Sequence, residues 1–86
     1  MSVRRATAQY PIRAVAQLTG LPLDTLRAWE RRYGAVTPQR DGQQRVYSDA
    51  DVARLRLLQQ AVAAGHTISR ATTLSATLEW LVERLA

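Results

Sequence analysis

Apolar positions recur along this chain in short helical stripes punctuated by glycines, and one stretch in the middle breaks the pattern. After a first stretch without periodicity, Ile12, Val15, Ala16 and Leu18 fall at helical spacing behind Pro11, a residue suited to the first turn of a helix. Gly20 ends that run where a C-terminal glycine usually sits. Gly20-Leu21-Pro22 is a tight turn, and a second helix follows it. That helix has Asp24 in its first turn, Leu26, Trp29 and Tyr33 at i, i+3 and i+7, and an end by Gly34. Two short helices joined by a glycine-containing turn form a helix-turn-helix.

Residues 35–47 change character. Val36-Thr37-Pro38-Gln39-Arg40 and Gln44-Arg45-Val46-Tyr47 flank Asp41-Gly42-Gln43, and Asp-Gly between two short segments signals a β-hairpin. Pro38 confines the first segment to an edge. Ser48-Asp49-Ala50-Asp51 then reads as a capping box opening the longest helix, with Val52, Leu55, Leu58 and Val62 on one stripe, running to Ala64 and stopping at Gly65. His66-Thr67 is a break, and His66 reads as a loop residue. Thr67 can cap a helix over residues 68–75, and Thr77 can cap another, whose Leu78, Leu81, Val82 and Leu85 form a full stripe. A helix that short is marginal alone. Its stripe must pack on its own domain, pair with a second subunit, or belong to something longer, and the first is favoured.

The fold class expected is mainly α: a winged helix-turn-helix of four to five short helices with a small β-hairpin wing. Residues 1–9 are expected as a disordered basic lead-in carrying Arg4 and Arg5, residues 10–76 as the winged domain, and residues 77–86 as a short amphipathic C-terminal helix.

Charge sharpens this picture. All 12 basic residues are arginine, against 7 acids, for a net charge of +5. Residues 1–47 hold 8 arginines and 3 acids, whereas residues 48–86 hold 4 of each. A basic first half on a neutral second half suggests a binding face and its support, with a polyanion as partner. A GC-rich genome produces the same arginine usage, although arginine also supplies the fork that phosphate and guanine favour. Arg27, Arg31 and Arg32 lie off the apolar stripe of the second helix, the profile of a recognition helix pressed on nucleic acid.

With no cysteine and one histidine there is no thiolate or His-rich metal site, and no apolar run approaches membrane-spanning length. Each acid has a capping, turn or surface explanation, so no catalytic residue and no enzyme is expected. The localisation expected is cytoplasmic, on the nucleoid.

Taken together, Tyr10-Pro11-Ile12, the run from Thr25 to Gly34, Pro38-Gln39-Arg40 and Gln44-Arg45-Val46-Tyr47-Ser48 resemble the DNA-binding domain of MerR-type transcription regulators. Trp29-Glu30-Arg31-Arg32-Tyr33-Gly34 is similar to the subgroup of the CarH, LitR and MlrA kind, many of which carry a cobalamin-binding, light-responsive domain. The resemblance implies a recognition helix in the major groove of double-stranded DNA and a wing on the backbone or minor groove.

Carried over by position, Thr25, Arg27, Arg31 and Arg32 would meet phosphates or base edges from the second helix. Arg40, Gln43, Gln44, Arg45 and Tyr47 would serve the wing, and Arg13 would add a phosphate contact. Trp29 and Tyr33 would be mainly core, with Trp29 also leaning on the backbone.

Ala28-Trp29 departs from the tyrosine pair of many members, and Gly42-Gln43-Gln44-Arg45 from their Gly-Gly-His-Arg or Gly-Gly-Tyr-Arg wings. No cobalamin pattern can be assembled here, so no cofactor is expected in this chain, cobalamin belonging only to a longer parent. A monomer is expected for the isolated chain, with oligomers forming on DNA or through a missing C-terminal domain. The same fold serves small excisionase-like proteins that bend DNA, which is the alternative function.

Overall fold

The computed structural model describes residues 9–85, with the backbone alone for Glu79 and Trp80. Helix α1, Ile12–Thr19, begins after Pro11 and stops at Gly20, whose φ of 77° a side chain would strain. The Thr19 hydroxyl donates to the Val15 carbonyl at 2.8 Å and accepts the Leu21 amide at 3.2 Å. That double use satisfies the Leu21 amide within the turn, and the Leu21 side chain is buried in the core. Helix α2, Leu23–Tyr33, follows at once and ends at Gly34, with Asp24 in its first turn and Arg31 and Arg32 in its last, both favourable to the helix dipole.

The hairpin comes next. Strand β1, Gln39–Asp41, pairs antiparallel with β2, Gln44–Val46, in the register Gln39↔Val46, Arg40↔Arg45, Asp41↔Gln44. The connection is the two residues Gly42-Gln43, so Asp41 belongs to the strand and not to the turn. Gly42 has φ 67° and no non-glycine residue described has a positive φ, which makes this a type II′ turn with glycine first. At the hairpin's base, Tyr10 and Tyr47 form an antiparallel bridge, each amide bonded to the other's carbonyl at 2.8 Å.

Helix α3, Asp49–Ala63, opens on the expected capping box. The Ser48 hydroxyl accepts the Asp51 amide at 3.1 Å, and the Asp51 carboxylate accepts the Ser48 amide at 2.9 Å. It closes on a Schellman pattern, Gly65 N–H to Val62 O and His66 N–H to Ala61 O, so His66 is the residue after a helix cap. Arg56 of α3 donates to the Leu18 carbonyl at 2.9 Å, placing a cation on the C-terminal end of α1.

The end of the chain differs from expectation. The two helices expected over 68–75 and from Thr77 onward are one helix, α4, Ile68–Leu85. Thr67 does cap it, accepting the Arg70 amide at 3.1 Å, but Thr77 lies mid-helix with its hydroxyl donating to the Thr73 carbonyl at 3.0 Å. A threonine satisfied by the preceding turn interrupts nothing. The lead-in expected over 1–9 lies outside the described residues except for exposed Gln9.

One core joins these elements: Val15, Leu21, Leu26, Trp29, Ala35, Val36, Tyr47, Val52, Leu55, Leu58 and Ala71. Helix α3 packs on α1 and α4, and α2 on α1 and α4, so only the first turns of α4 reach the core. Leu78, Leu81, Val82 and Leu85 are all exposed and lie outside this core, as do Val62 and Tyr33, so the expected packing of the stripe on its own domain reaches no further than a shallow contact with α3. Ala50, Ala53 and Leu57 of α3 form with Leu78 and Val82 a shallow groove of about 520 Å³. No helix among the described residues is long and apolar enough to cross a membrane.

Candidate nucleic-acid interface

Helix α2 is anchored from beneath. Leu26 and Trp29 are buried, so the residues between them are turned out of the core. Arg27 and Arg31, one turn apart, face the hairpin, and an open groove of about 920 Å³ runs between α2 and the wing. Five arginines line it: Arg27 and Arg31 from α2, Arg13 from the start of α1, and Arg40 and Arg45 from the two strands. Gln44 completes the wing side. Arg40 and Arg45 are direct cross-strand partners, a like-charge pairing that weakens a hairpin unless an anion offsets it.

One acid lies in this groove. Glu30 accepts a hydrogen bond from the Arg45 guanidinium at 2.9 Å on one carboxylate oxygen and from the Tyr47 hydroxyl on the other. The Glu30 side chain is only 8% exposed, against 51% for Arg45. Burial, and then the bond to Glu30, raise the Tyr47 hydroxyl above its ordinary pKa of 10.0, so it stays a donor. A second tyrosine, Tyr10, donates to Asp49 at 2.7 Å, and that bond raises its pKa in the same direction.

Among the described residues, Arg13, Arg27, Arg31 and Arg40 have no carboxylate at ion-pair distance. Helix α1 also begins without an acid in its first turn and without a side-chain cap, and Pro11, Ile12 and Arg13 at its start line the groove. The site is therefore a concave surface with four uncompensated guanidinium groups, which can hold phosphates or present forks to base edges.

The structure sorts the expected residues. Arg13, Arg27, Arg31, Arg40, Gln44 and Arg45 come together in the groove. Gln43 is exposed at the hairpin tip, Arg32 is exposed on α2 away from the groove, and Thr25 is half-buried near the start of α2. Two residues expected at the interface are buried instead of presented on the groove: Tyr47 is 1% exposed with its hydroxyl held by Glu30, and Trp29 is 9% exposed in the same core. Glu30 was missed by sequence reasoning, and the signal was present: one acid inside a run of arginines on the face beside the core.

The profile of the MerR HTH family regulatory proteins matches residues 10–78, most of this chain. The chain belongs to the MerR HTH family. Among curated relatives, this MerR-family chain is 43% identical over 70 residues to the HTH-type transcriptional repressor CarH of Myxococcus xanthus, covering 80% of the chain and 23% of the relative. It is 43% identical over 68 residues to the HTH-type transcriptional regulator MlrA of Salmonella typhimurium strain SL1344, covering 78% and 28%. With MlrA of Escherichia coli K12 it shares 44% over 64 residues, 73% of the chain and 26% of the relative. It spans about a quarter of the length of these relatives. The matched region contains every groove arginine of this MerR-family fold, from Arg13 to Arg45.

Proposed function

We propose that residues 10–78 bind double-stranded DNA as the DNA-binding domain of a bacterial transcription regulator. Helix α2 enters the major groove and the β1–β2 wing follows the backbone toward the minor groove. One observation carries this reading: four guanidinium groups with no carboxylate partner among the described residues converge in one groove between α2 and the wing. The 11 residues of α2 make a rod of about 16 Å, long enough to lie in a major groove about 12 Å wide. Arg13 and Arg40 on either side and Arg27 and Arg31 on the helix hold phosphates, the last two beside the guanine edges of the groove. Thr25 and Arg32 extend the helix surface, and Gln43 and Gln44 the wing. The domain does this without a cofactor, and a cobalamin would belong to other parts of a longer protein. It acts in the cytoplasm, where DNA is, as a monomer that gains affinity by pairing on neighbouring half-sites.

The test is binding to duplex DNA by fluorescence anisotropy across a salt series. Four phosphate contacts predict a slope of log K against log salt of about −3.6, and each arginine removed from a phosphate reduces its magnitude by about 0.9. Arg27→Ala and Arg40→Ala are expected to show that reduction. Absence of binding at low salt, or a slope near zero, refutes the proposal.

A further inference from the structure

The one acid in a groove built for phosphates needs a reason, because an uncompensated carboxylate there would repel the ligand. Glu30 is mostly buried and both of its oxygens are engaged, one by Arg45 and one by Tyr47. Those two residues are i and i+2 on β2 and its continuation, so they point to the same face of the strand. A single carboxylate therefore grips the wing at two points and fixes both its distance from α2 and its rotation. The wing needs such a grip. Its strands are three residues each, and an isolated two-stranded hairpin is marginally stable. The Tyr10–Tyr47 bridge holds only its base.

We propose that Glu30 is the positioning residue of this interface: it clasps Arg45 and Tyr47 to set the wing against α2, and Arg45 serves the clasp and not a phosphate. The proposal rests on the DNA-binding reading above and gives Arg45 a different role from the DNA contact that the family resemblance implied for it. Glu30 takes up the charge of Arg45, which relieves the cross-strand repulsion with Arg40 and leaves Arg40 as the wing's cation for DNA. Were Arg45 to leave for a phosphate, a mostly buried carboxylate would be left without its cation beside the DNA.

Two readouts test this. Spin labels at Asp24→Cys and Gln43→Cys, in a chain with no other cysteine, report the distance from α2 to the wing tip in free protein. A narrow distribution is expected for wild type and a broad one for Glu30→Ala, measured below each protein's melting temperature. An equally narrow distribution in both overturns the clasp. On DNA, Glu30→Ala and Arg45→Ala are each expected to weaken binding about tenfold, the worth of one charged hydrogen bond, with no further loss in the double variant. Their salt slopes should equal that of wild type, whereas Arg27→Ala lowers the slope by about 0.9.

A slope in Arg45→Ala reduced as in Arg27→Ala, additive losses, or tighter binding by Glu30→Ala would overturn the assignment. Tyr47→Phe keeps the buried ring and removes only the hydroxyl. It is expected to broaden the label distances with an unchanged slope, and unaltered distances in it count against the clasp even if the alanine variants fail to fold. Wild type that binds no duplex at low salt refutes the DNA reading, while the label distances still decide the clasp.

Discussion

Leu55 and Leu57 sit two residues apart on α3 and make a matched pair. Leu55 is fully buried and Leu57 is 63% exposed. Truncating Leu55 to alanine removes three carbons from the buried core on α3, the helix that packs on α1 and α4, so both the transfer cost and a residual cavity apply, about 3 kcal/mol. Leu57 has lost only about a third of its surface to the fold, which scales a transfer value of about 2 kcal/mol down to about 0.7 kcal/mol. Alanine's slightly better helix propensity offsets part of that, leaving about 0.5 kcal/mol. A domain of this size holds roughly 4–10 kcal/mol in total, so Leu55→Ala takes a large share of it and Leu57→Ala very little. In urea, with a slope near 1 kcal/mol per molar, the midpoints should fall by about 3 M and about 0.5 M. Equal destabilisation by the two variants would refute the burial argument. It would mean that the face carrying Leu57, Leu78 and Val82 is covered in solution.

Other outcomes follow from the same contacts. Ser48→Ala removes one half of the capping box and is expected to cost about 1 kcal/mol, read as a fall in Tm of about 4–8 °C. Gly42→Ala meets no neighbour within 4 Å, so its cost is backbone strain at φ 67°, about 1 kcal/mol, and amide exchange should rise in the hairpin before the rest. Tyr47 is neutral in the fold and its pKa is raised above 10.0, so the stability it contributes is whole below pH 10 and is lost as pH rises beyond it. The fall above pH 10 in a urea-denaturation series should be shallower in Tyr47→Phe than in wild type.

The local elements were legible because each is set by neighbours in sequence. Pro11 and Gly20, Pro22 and Gly34, and the Ser48 capping box bound α1, α2 and the start of α3 by rules that act over three or four residues. The hairpin was legible too, but its turn was displaced by one residue. Gly42 can take the first position of a II′ turn as readily as follow Asp41, and pairing of Asp41 with Gln44 decides the register. Helix α4 was split in two because Thr77 looks like a cap in isolation, although the stripe from Leu74 through Leu78, Leu81 and Leu85 runs through it at helical spacing. The groove was read as a set of arginines without its geometry. What joins Arg13 to Arg40, and Glu30 to Arg45 and Tyr47, is packing between elements, which no local pattern encodes. The same packing buries Tyr47, which the sequence placed on the wing.

The most direct test of the interface is a map of backbone amide chemical shifts on isotopically labelled protein titrated with duplex DNA. The structure predicts perturbations over residues 12–13, 24–32 and 39–45, around the arginine groove, with the exposed residues 81–85 of α4 unmoved. Shifts confined to α4, or none at low salt, would contradict the assignment of the groove between α2 and the wing as the surface that holds DNA.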